Sequence, residues 1–123
     1  MKIDILSLFP EMFSALKASI LKRGQETGAL EINIINIRDF SLDKHKKCDD
    51  YPFGGGVGLV MMAQPIVDAI KSIEGFEKAK KIYMSPRGSV LKQSKVKELS
   101  SENHLIILCG HYEGVDQRVI DKY

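Results

Sequence analysis

The sequence predicts an α/β domain whose mostly parallel sheet is flanked by helices. Three observations predict it. Four short runs are dense in isoleucine, leucine or tyrosine, at about residues 3–9, 30–37, 80–84 and 104–109. Apolar residues at helical spacing lie between them, and 123 residues are enough for one core. Strands and helices that alternate at this spacing return the chain to start each strand in the same direction, which builds a parallel sheet.

The first run, Ile3, Ile5 and Leu6 to Phe9, is closed by Pro10 and reads as a buried strand. A helix follows, with Phe13, Leu16 and Ile20 on one face, Lys22 and Arg23 at its end and Gly24 and Gly28 as stop signals. LEINIINI, residues 30 to 37, is the second strand. Residues 38 to 61 show no periodicity; a connection this long inside a small domain is usually functional or disordered. Gln64 and Pro65 open a second helix with Ile66, Ile70 and Ile73 on one face. KKIYM is the third strand, a charged helix runs from about Val90 to Leu99, and HLIILC is the fourth strand. Asp116 is placed to cap a last helix.

Composition is that of an ordinary globular chain, with 44% apolar and 28% charged residues and no apolar run near the roughly 18 residues that span a bilayer. The start MKIDILSLFP lacks the features of a signal peptide, so a cytoplasmic protein without a membrane segment is expected. Cys48 and Cys109, far apart, fit reduced thiols. A net charge of +2 is too small to announce nucleic-acid binding by itself.

In an open parallel sheet, ligands bind beyond the carboxyl ends of the strands. SPRG after the third strand and GHYEG after the fourth should therefore share one rim. Tight turns and a solvated Glu113 explain either segment alone; both on one edge point to a pocket of unspecified ligand. GGGVG, residues 54 to 58, matches neither a dinucleotide fingerprint nor a P-loop, but its backbone can lie against a planar group, with Tyr51, Pro52 and Phe53 near enough to stack. A hinge is the plainer alternative. His45, Cys48, Cys109 and His111 have poor spacing for zinc, and no metal site is expected. Lys44, Lys46, Lys47 and Arg38 could neutralise phosphates, or form a solvated loop with Asp49 and Asp50.

ILSLFPEMF, IRDF, DDYPFGGGVGLVMM, IYMSPRG and LCGHYEGVDQRV occur in this order across nearly the whole chain. Together they closely resemble the N-terminal part of the bacterial tRNA (guanine-N1)-methyltransferases, members of the SPOUT superfamily of knotted enzymes. The resemblance implies methyl transfer from S-adenosylmethionine to N1 of the guanine 3′ of the anticodon in tRNA, by a homodimer that magnesium assists. It implies that Tyr83, Met84, Ser85, Pro86, Gly110, Tyr112 and Gly114 bind the cofactor, and that Glu113, Val57 and Gly58 face the target base. Val57 and Leu59 stand where the family commonly has proline and methionine, and His111 stands in place of an arginine, as in part of the family.

The family's chain runs on past the position of Tyr123 through the rest of the trefoil knot and into a helical domain that grips tRNA. Residues 1–123 are thus expected to be a single α/β unit, the N-terminal portion of an incomplete SPOUT domain without the C-terminal tRNA-binding domain. The family's aspartate general base and assisting arginine belong beyond Tyr123, no catalytic residue is assigned within the chain, and these residues alone are expected to transfer no methyl group. The rival expectation is a noncatalytic α/β module that binds nucleotide or RNA, or only dimerises.

Overall fold

The structure, a computed structural model, describes all of residues 1–123. Four parallel strands form its sheet in the spatial order β2 (Glu31–Asn36), β1 (Lys2–Ser7), β6 (His104–Cys109), β5 (Lys80–Met84). All four strands expected from the apolar runs are present. Leu6, Ile106 and Leu108 join one core with Ile66, Ala69 and Ile70 of helix α2 (Ala63–Lys71) and Val119 of α4 (Gln117–Lys122). Burying an aliphatic side chain of this size stabilises by roughly 1.5–3 kcal/mol, so this cluster fixes α2 and α4 on the sheet.

The first helix departs from expectation. Residues Pro10–Lys17 form a 3-10 helix, Ala18 is extended, Ser19 has φ +51°, and α1 spans only Ser19–Glu26. The break at Ala18 and Ser19 destroys the shared face: Phe13 and Leu16 are half-buried while Ile20 is exposed. Gln25 Nε2 ties the two segments together by donating to the carbonyls of Leu16 (2.8 Å) and Leu21 (3.1 Å). The charged helix α3 (Gln93–Ser100) starts later than Val90, and Val90 and Leu91 are exposed.

The long connection is ordered. Ile37–Phe40 make a 3-10 turn, and β3 (Asp49–Asp50) pairs antiparallel with β4 (Val60–Met61). Ile37, Cys48 and Met61 are fully buried, which supplies apolar anchors that no periodic pattern advertises.

At the opposite end of the sheet from the connecting turns, Asp4 is buried. His104 Nε2 lies 2.6 Å from its Oδ2, Asn33 Nδ2 donates to its Oδ1 (2.9 Å), and Lys2 Nζ is 3.7 Å away. His104→Ala is expected to destabilise the fold by about 1–3 kcal/mol, because a buried carboxylate loses a close partner. The midpoint of urea unfolding measures this, and an unchanged midpoint would count against it.

Candidate functional site

The carboxyl ends of β5 and β6 lie side by side, with Met84 opposite Cys109 in the register, so the turns that follow share one rim. Gly110 leaves the strand directly against Tyr83. A Cβ at Gly110 would lie 2.9 Å from Tyr83 Cε2 and 3.1 Å from its Oη, so only glycine lets the ring rest there. Tyr83, Met84, Ser85, Pro86, Gly110, Tyr112 and Gly114 all line one cavity of about 610 Å³, and Glu113 lines it with them. Ser85 Oγ accepts the backbone N–H of Arg87 (3.2 Å), which shapes the SPRG turn.

The glycine loop reaches the same place through Met61. Its N–H donates to the Gly114 carbonyl (2.9 Å), its carbonyl accepts from Asp116 N–H (3.0 Å), and its Sδ accepts from His111 N–H (3.2 Å). Glu113 N–H donates to the Leu59 carbonyl (3.0 Å), and Met61 and Val115 form a parallel bridge. This stitching sets Gly58 (φ +108°) so close to Glu113 that a Cβ would fall 2.4 Å from its Cγ. Gly58 and Glu113 are thus neighbours. Val57 is not among them: its side chain is wholly exposed and outside the cavity lining. Of the three aromatic-loop residues, Pro52 lines the cavity, whereas Tyr51 and Phe53 are exposed.

Met61 is the residue that sequence reasoning missed. A methionine in an aperiodic stretch gives no sign that it organises a turn fifty residues away.

Asp116 caps α4, accepting the backbone N–H of Arg118 (3.0 Å) as expected. The Arg118 guanidinium also bonds its carboxylate, with Nη2 2.7 Å from Oδ2, which holds the Asp116 carboxyl below its ordinary range. The same guanidinium lies 5.3 Å from the centre of the Phe53 ring. Burial pushes the Cys48 and Cys109 thiols above their usual pKa, so both are poor thiolate donors at neutral pH. No group of three or more His, Cys, Asp or Glu side chains comes together as a zinc site would require.

A family model described as tRNA (Guanine-1)-methyltransferase TrmD matches residues 1–123. The chain belongs to this family. It is 59% identical over 125 residues to a tRNA (guanine-N(1)-)-methyltransferase of Ruminiclostridium cellulolyticum, an alignment covering 99% of this chain and 54% of the relative. A relative of the same description from Clostridium perfringens is 58% identical over 119 residues, covering 97% of this chain and 50% of its own. The crystal structure of tRNA (m1G37) methyltransferase from Aquifex aeolicus superposes with a TM-score of 0.88 at 33% identity, over 98% of this chain and 56% of that one. The expected SPOUT-type α/β fold is therefore borne out. The chain spans about half the length of the curated methyltransferases it matches. No helix is long and apolar enough to cross a membrane.

Proposed function

We propose that residues 1–123 supply the N-terminal portion of a methyltransferase domain that moves a methyl group from S-adenosylmethionine to N1 of the guanine 3′ of the anticodon in tRNA. The observation that carries this reading is the stitching of the glycine loop onto the turn after β6, which brings Gly58 against Glu113 beside the cavity. The descriptions of the relatives supply the substrate class.

The residues fit the cofactor. A cavity of about 610 Å³ is within the usual range for a small-molecule site, and Gly110 lets the Tyr83 ring pack against the backbone at its wall. Tyr83, Met84, Ser85, Pro86, Gly110, Tyr112 and Gly114 would hold it; when bound, it supplies a methyl group made electrophilic by a sulfonium.

Glu113 is exposed at the cavity's edge, and its carboxylate can accept hydrogen bonds from the N–H donors of a guanine edge. Gly58 lies against Glu113, which lines the cavity, and Val57 is exposed at the outer end of the loop. N1 must lose a proton as it gains the methyl; the aspartate base and assisting arginine that the resemblance implies belong to the family's sequence beyond the position of Tyr123. We place the working enzyme in the cytoplasm as a homodimer.

Glu113→Gln in the natural protein tests the reading. Loss of a charge-assisted hydrogen bond is expected to lower kcat/KM for a tRNA transcript by about 10- to 100-fold, with S-adenosylmethionine affinity nearly unchanged. Equal kcat/KM for both proteins would remove Glu113 from the base site.

A further inference from the structure

Residues 43–47 form a tight turn whose cations are displayed outward. Asp43 Oδ2 accepts the backbone N–H groups of His45 (2.7 Å) and Lys47 (3.1 Å), and these bonds hold its carboxyl below the usual range. Ser41 Oγ donates to the Lys47 carbonyl (2.5 Å) and accepts Asp43 N–H (3.2 Å). The acidic side chain therefore faces the turn's own backbone. Lys47 pairs with Asp50 at 3.8 Å, but Lys44 and Lys46 are exposed and make no ion pair.

The turn is firmly rooted. Gln64 at the start of α2 donates to the Phe40 carbonyl (2.7 Å) and accepts Leu42 N–H (3.3 Å). Buried Cys48 accepts Met62 N–H through its carbonyl (2.8 Å), next to the Met61 that organises the site. Ser41 N–H donates to the Arg38 carbonyl, and the Arg38 guanidinium lies 5.8 Å from the centre of the Phe9 ring. Phe9 meets His111 edge-on at 5.0 Å between ring centroids, and His111 meets Tyr112 at 4.7 Å. A contiguous path thus joins the cationic turn to the rim that carries Glu113.

We propose that Lys44 and Lys46 contact backbone phosphates of the RNA strand that carries the target base. This rests on the RNA-methyltransferase reading above. A base held at Glu113 brings its flanking phosphates past the rim, and two unpaired ammonium groups on a pre-shaped turn can neutralise them.

The test compares the natural protein with its Lys44→Gln/Lys46→Gln double variant, using fluorescence anisotropy of a labelled tRNA transcript over a range of salt. Loss of two phosphate contacts is expected to flatten the slope of log affinity against log salt by about 1.5 and to weaken binding roughly tenfold at low salt. Calorimetric S-adenosylmethionine binding should stay the same. A Lys71→Gln/Lys78→Gln control, at the far end of α2 and before β5, should leave the slope unchanged. If the double variant keeps the parent's slope, or the control flattens it equally, the turn makes no specific phosphate contact and the proposal is overturned. A parent that binds cofactor but no tRNA overturns both this proposal and the reading beneath it.

Discussion

Gly110→Val in the natural protein is expected to abolish measurable S-adenosylmethionine binding. At this position a Cβ already lies 2.9 Å from the Tyr83 ring, and valine adds two methyl groups where the ring and the cavity wall meet. Overpacking of this kind costs the fold about 1–3 kcal/mol, and a binding loss of the same size is about 5- to 150-fold in affinity. Displacing Tyr83 into the cavity removes contacts as well. Isothermal calorimetry reads the loss, and a thermal melt checks that the variant still unfolds cooperatively. Equal heats from a folded variant would refute the assignment of Gly110 to the cofactor edge.

Gly58→Val should separate base recognition from cofactor binding. Gly58 has φ +108°, a conformation that strains a β-branched residue, and its Cβ would fall 2.4 Å from Glu113 Cγ. Either the loop or Glu113 must move. Methylation of a tRNA transcript is expected to fall by about 100-fold or more, from backbone strain and a displaced carboxylate together. Cofactor affinity should fall much less than turnover, because Gly58 lies outside the cavity lining and only the displaced Glu113 touches it. A loss of cofactor binding as large as the loss of turnover would show that the glycine loop supports both sites.

The two variants also mark what was legible in the sequence. Gly110 follows an apolar strand, and strand ends of a parallel sheet are where ligands gather, so the rim formed by SPRG and GHYEG could be anticipated. The strands were legible because each is a dense apolar run. The contact between Gly58 and Glu113 was not, since it depends on Met61 bonding to His111, Gly114 and Asp116 across fifty residues. Hydrogen bonds of this kind leave no periodic trace. The first helix misled for the reverse reason: Phe13, Leu16 and Ile20 have helical spacing, but the extended Ala18 and the positive φ of Ser19 split the segment. Only motif resemblance implies base and cofactor roles for these residues, which spacing alone left open.

The proposed function puts this rim in an enzyme that methylates one guanine of tRNA at N1. The natural protein should be incubated with methyl-labelled S-adenosylmethionine and two tRNA transcripts that differ only in carrying G or A 3′ of the anticodon. Nuclease digestion and mass spectrometry then locate the label. N1-methylguanosine is expected at that single position, and none in the A-bearing transcript. Label on another atom or nucleotide, or no label from protein that demonstrably binds cofactor, would contradict it.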